Sequence, residues 1–150
     1  MNWKNISKFM TKENKNLLLQ DICARLPYGV HVDYKGEIYG VLGISFGRLT
    51  LCKPFMSQTL EYHPLVEEVK PCLFPLSAIP ENVVDEIYNE CGIYDVYDLD
   101  RDPTIHIEVG TKFGEITKLF NILNKHHIDY NNLIPKGSAI DVTNLNIYQL

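Results

Sequence analysis

The chain has 150 residues, 45% of them hydrophobic and 22% charged, and a net charge of −5. A chain of this size buries roughly 68–70% of its unfolded surface in one core, and this composition excludes intrinsic disorder. Residues 1–30 carry five basic and two acidic side chains, whereas 77–109 carry nine acids against Arg101. Nucleic-acid binding, which draws its affinity from a basic patch, is disfavoured.

Cys23, Cys52, Cys72 and Cys91 lie in apolar surroundings with no CxxC spacing, and no leader pattern stands at Met1-Asn2-Trp3-Lys4. Buried free thiols in a reducing, cytoplasmic compartment are therefore expected, without a zinc site. No apolar run approaches the roughly 20 residues that span a bilayer.

In chain order, residues 1–10 form a flexible arm and 11–150 a single domain, with 92–103 the place for any subdomain break. A helix follows Thr11 as N-cap, with Leu18, Ile22, Cys23 and Leu26 on one face and Pro27 and Gly29 as the stop. Val30, Val32 and Tyr34 alternate as a strand, Lys35-Gly36 turns, and strands over 38–44 and 49–52 flank a turn at Phe46-Gly47. A further strand is expected over 66–73 and a helix through Val83, Ile87 and Cys91. An acidic loop, a strand over 105–107, a helix over 112–127 and a strand over 139–142 complete the pattern. The predicted fold is α+β: an N-terminal helix, a small curled antiparallel sheet of SH3-like type, then helices with one or two further strands.

Signatures of chemistry are scarce. Gly40, Gly43 and Gly47 have strand patterns on both sides and no following helix, so they do not cradle phosphate. Asp98, Asp100 and Asp102 resemble the start of a calcium loop, but Pro103 replaces the turn glycine and Val109 the closing glutamate. With Tyr94 and Tyr97, these acids form the expected interaction surface. The most suggestive constellation is His126, His127, Asp129 and Tyr130. A carboxylate can orient an imidazole, but neighbouring helical residues diverge by about 100°, so packing and capping outrank catalysis. Together with Tyr28 these four residues form the candidate small-ligand site. No catalytic motif, cofactor or metal is indicated.

Three blocks carry a resemblance: LLLQDICARLPYGV (17–30), VKPCLFPLSAIP (69–80) and ILNKHHIDYNNLIPKGSAI (122–140). They resemble a family of small uncharacterised proteins of gut Bacteroidetes genomes and their phages and prophages. That resemblance implies an intracellular, mobile-element setting and no activity to transfer. Cys72 and Phe74 stand where the family pattern has tyrosine and arginine, and Asn131 and Asn132 where it has Arg-Gly. Loss of both arginines argues against a shared anion site. The expectation is a non-enzymatic protein that binds a host or viral protein. The alternative is a binder of a small nucleotide signal in evasion of antiphage defence.

Overall fold

The computed structural model describes residues 10–53, 61–91 and 113–148. Helix α1 (Lys12–Arg25) starts where the Thr11 hydroxyl accepts from the Asn14 amide at 3.1 Å. This N-cap satisfies one of the donors that a helix start leaves free. A single 3-10 turn (Leu26–Tyr28) follows, and Gly29 closes it at φ 73°. The buried face of α1 is Leu18, Asp21, Ile22 and Arg25. Cys23, expected on that face, is exposed, because the helix turns a charged pair inward and the thiol points away.

Strands β1 (His31–Tyr34), β2 (Glu37–Ser45) and β3 (Arg48–Cys52) form an antiparallel meander. Both connections are two-residue turns in which each residue has positive φ: Lys35 at 53° with Gly36 at 82°, and Phe46 at 53° with Gly47 at 73°. Such turns match the right-handed twist of the strands, which is why glycine stands second in each. A bulge between Val41 and Gly43 interrupts the β2–β3 register.

The strand expected over 66–73 begins instead at Lys70. Residues Val66–Glu68 form a 3-10 turn, and the Glu68 carboxylate reaches back 2.7 Å to the Leu65 amide. Beyond it β4 (Lys70–Pro75) pairs antiparallel with β1. On the far side of the meander, Tyr62 and Leu65 bridge to Leu51 and Arg48 of β3. A flat sheet would separate that segment from β4 by four strand spacings, roughly 19 Å. The stretch from Leu65 to Lys70 includes three residues of 3-10 helix and reaches only about 13 Å. The sheet must therefore curl. Tyr62 confirms it, its ring lying 6.1 Å from Tyr34 of β1 and 5.4 Å from Tyr39 of β2.

Helices α2 (Glu81–Cys91) and α3 (Phe113–Lys125) follow, and two short strands, β5 (Ile128–Asp129) and β6 (Ile140–Asp141), run parallel to β4. The sheet is thus mixed and open, in the order β3-β2-β1-β4-β5 with β6 also on β4. The α+β architecture expected from the sequence is present; β6 falls within the strand expected over 139–142, whereas β5 was not expected. Its apolar interior has two parts. Leu18, Ile22, Val32, Leu49, Leu51 and Leu73 fill the space between α1 and the sheet. Val83, Ile87, Leu119, Leu123 and Ile128 fill the space around α2 and α3. Cys72 and Cys91 are buried and Cys52 is half-buried. No helix among the described residues is long and apolar enough to cross a membrane.

Candidate functional site

The 26–31 and 123–131 segments meet where α1 gives way to β1 and α3 to β5. At the junction lies Arg25, fully buried. Its Nε and Nη2 donate to both oxygens of Asp21 at 2.9 Å, a bidentate pair one helical turn apart. Nη2 also donates to the Ile128 carbonyl at 2.7 Å, and Nη1 lies 3.5 Å from the Leu123 carbonyl. The Asn131 side-chain amide donates to Asp21 at 2.9 Å, and the Tyr130 ring lies 5.1 Å from the guanidinium carbon. Arg25 therefore ties α1, in the first apolar cluster, to the end of α3 and the start of β5, in the second. One of its acceptors is a last-turn carbonyl that an α-helix leaves without an internal donor.

Around that tie the expected ligand-site residues take separate directions. His126 lies 2.7 Å from Glu86 of α2, and Lys125 donates to the same carboxylate at 2.9 Å. Lys125 beside Glu86 holds that carboxyl below its usual range against the opposing effect of burial, and His126 adds to it. This pair fastens α3 to α2. Asp129 is buried and accepts from the backbone amides of Leu133 at 2.9 Å and Ile134 at 2.8 Å. Its carboxylate thereby shapes the 130–134 turn. The Tyr130 hydroxyl donates to Asn124 at 2.7 Å, and its ring meets Phe120 edge-on. Tyr28 is 37% exposed, and its backbone stands near enough to the His127 imidazole to favour the charged form slightly against burial. Tyr28 and His127 are thus brought together, while His126 and Asp129 face other partners.

His127 falls past the helix end at φ 57°, which swings its ring away from His126 into the interior. There it stacks on Tyr148 at 3.8 Å with 12° between planes, and His31 meets the same tyrosine edge-on at 4.9 Å. The Tyr148 hydroxyl accepts from the His31 amide at 3.0 Å and donates to the Cys72 carbonyl at 2.8 Å. It thereby supplies a rung between β1 and β4 just beyond their last backbone pair, Val32 with Pro71. Burial pushes the Tyr148 hydroxyl pKa well up and the Cys72 thiol up to about 12, so both stay protonated. The Nδ1 atoms of His31 and His127 are buried and have no hydrogen-bond partner among the described residues. A buried polar atom left unpaired costs about 1–3 kcal/mol.

Burial drives the His127 pKa down to about 3, with the Arg25 guanidinium and the other two histidines adding to the effect. Burial also lowers that of His31. Both imidazoles are neutral in the fold and would bind a proton readily once unfolded. The unfolded state therefore takes up more protons below its ordinary histidine pKa of about 6.5. Stability is complete above that pH. The His127 contribution falls as the pH drops from about 6.5 toward 3, approaching about 1.4 kcal/mol per pH unit, and His31 adds a loss in the same direction. Urea melts across that range should show the loss, and His127→Phe should make it shallower. An unchanged slope in the variant would remove His127 as a cause.

The sequence pointed to His127 but not to His31 or Tyr148, which lie 117 positions apart. The i,i+4 spacing of Asp21 and Arg25 was the available sign of the buried pair. Tyr94, Tyr97, Asp98, Asp100 and Asp102, the expected interaction surface, lie outside the described residues, as do the strand expected over 105–107 and residues 1–9 of the expected arm. Among the described residues no three His, Cys, Asp or Glu side chains gather as a metal-ligand set. Neither a family model, nor a curated protein, nor a solved structure matches the chain.

Proposed function

We propose that this is a non-enzymatic interaction protein of phage or prophage type, which acts by binding a host or viral protein. One observation carries the reading. Phe46, at the tip of the β2–β3 hairpin, is fully exposed at 102% and sits in the left-handed region. A non-glycine residue there costs roughly 1–2 kcal/mol, and a fully exposed ring contributes no burial to offset that cost. Leu42, 58% exposed, stands on the same hairpin. An apolar side chain held in strain on a rigid tip suits insertion into a partner's surface. The reactive side chains of the 126–130 segment are meanwhile engaged in holding the fold.

Phe46→Asn tests this directly, because asparagine tolerates the left-handed turn. The variant should melt roughly 2–4 °C higher than the parent, about 1 kcal/mol for a domain of this size. It should also lose saturable binding to the protein partner captured from host and phage proteins. Retention of that binding at full strength would sink the hairpin reading.

A second reading, a binder of a small nucleotide signal, draws on the unpaired Nδ1 atoms of His31 and His127. A ligand that binds only the folded state must raise its melting temperature. Thermal shifts against cyclic and linear nucleotides separate the two readings.

A further inference from the structure

We propose that the space held by the Tyr148 ring is a binding slot for a planar nitrogen heteroaromatic of pyrimidine size, with Tyr148 as its built-in competitor. The inference rests on the second reading above and names its site and ligand chemistry. The slot has a stacking face in His127, 3.8 Å from the tyrosine ring and nearly parallel to it. It has an edge in His31, inclined at 69°. It also has a backbone donor, the His31 amide, and a backbone acceptor, the Cys72 carbonyl, on neighbouring strands. Tyr148 meets both with one oxygen. A ring edge that carries an N–H beside a C=O matches such a donor–acceptor pair with two separate atoms.

Polar accounting favours nitrogen over a phenol. Both flanking imidazoles contact the Tyr148 ring, and both keep a buried Nδ1 without a partner among the described residues. Tyrosine has no further polar atom to offer them. The His127 Nδ1 lies in a plane parallel to the slot and stays out of reach of a stacked ring, but His31 is inclined to the slot, and a ring nitrogen or exocyclic amine at that side would pair its buried Nδ1. Release of the tyrosine gives up two hydrogen bonds and a stack that the bound ring would replace. Val142 is buried, but residues 143–146 between it and Tyr148 are exposed.

Calorimetry on the full chain with uracil, which carries the N–H and C=O edge, tests the slot against p-cresol, which mimics the tyrosine ring without nitrogen. Tyr148→Ala removes the competitor, so uracil should bind this variant at least tenfold more tightly than the parent, and more tightly than p-cresol does. At about a hundred times Kd, uracil should raise the melting temperature of the variant by roughly 5–10 °C. If the alanine variant does not fold alone, Tyr148→Phe keeps the ring and drops both hydrogen bonds. Its uracil affinity should then exceed that of the parent by about 3- to 10-fold. Preference for p-cresol would make Tyr148 a core side chain only and overturn the proposal. Equal uracil affinity in parent and variants places binding elsewhere: the slot fails while a small-ligand function survives. Absence of binding by uracil in any form overturns the slot, and silence of the parent and both variants toward nucleotides as well removes the second reading with it.

Discussion

Arg25→Met is expected to destabilise the protein by about 3–5 kcal/mol, the cost of stripping one partner from a buried ion pair. The side chain is fully buried, and its donors reach Asp21, Leu123 and Ile128. Removing them leaves the Asp21 carboxylate buried with Asn131 as its remaining side-chain donor. It also frees the carbonyls at the end of α3 and the start of β5. Urea denaturation measures the loss. Arg25→Lys should restore little of it, since an ammonium cannot span a carboxylate bidentately and reach two carbonyls as a planar fork does. The double variant Asp21→Leu, Arg25→Met should be more stable than Arg25→Met alone, because no unpaired charge then remains inside. A loss below about 1 kcal/mol for the single change would mean that the pair is dispensable and that the two apolar clusters hold together without it.

Asp129→Ala comes next in size, at about 2–4 kcal/mol. One carboxylate there accepts from two backbone amides, Leu133 and Ile134, inside the structure. Hydrogen bonds to a charged acceptor contribute about 1.5–3 kcal/mol each. Loss of the acceptor leaves a buried donor unpaired at Leu133, itself a core residue. Asp129→Asn keeps one acceptor oxygen and should lose about half as much. Hydrogen exchange distinguishes this role from general destabilisation: protection should fall first at the Leu133 and Ile134 amides, before the β1–β2 ladder opens. Uniform loss across the molecule would count against a local turn-shaping role. A catalytic or ligand role for Asp129 predicts instead a variant that is folded and stable but inactive.

The two changes share a cause. The described residues hold two apolar clusters, and polar contacts join the elements around and between them. Arg25 ties α1 to α3 and β5, Asp129 holds the turn after β5, and Glu86 with Lys125 and His126 fastens α2 to α3. The buried members of this set, Asp21, Arg25 and Asp129, specify one arrangement, because each alternative packing leaves some of them unpaired. That accounts for how the HHIDY segment acquires its reactive appearance: these residue types form strong directional bonds, and the fold uses them for that.

Local order was legible in the residues themselves. Thr11 as a cap, the Lys35-Gly36 and Phe46-Gly47 turns, the alternation of β1 and the helical spacing of Val83, Ile87 and Cys91 all depend on neighbours within a few positions. Short-range sterics and periodicity determine such elements. The start of β4 was displaced by a side chain reaching back along the backbone, Glu68 to Leu65, which alternation does not register. The inward face of α1 was legible only in part. Leu18 and Ile22 announced it, whereas the inward turn of Asp21 and Arg25 depends on partners at 123, 128 and 131.

By itself, then, the sequence determined the α+β character, helices α1 to α3, the β1–β2–β3 meander, and the absence of a recognisable catalytic motif. The tertiary structure alone decided that β5 and β6 join β4 in parallel, that His127 turns inward while His126 turns to α2, and that His31 meets Tyr148 from 117 positions away. The reason is physical. Hydrophobic periodicity encodes which face a residue takes relative to its neighbours, whereas long-range hydrogen bonds are set by which segments the burial of those faces brings together.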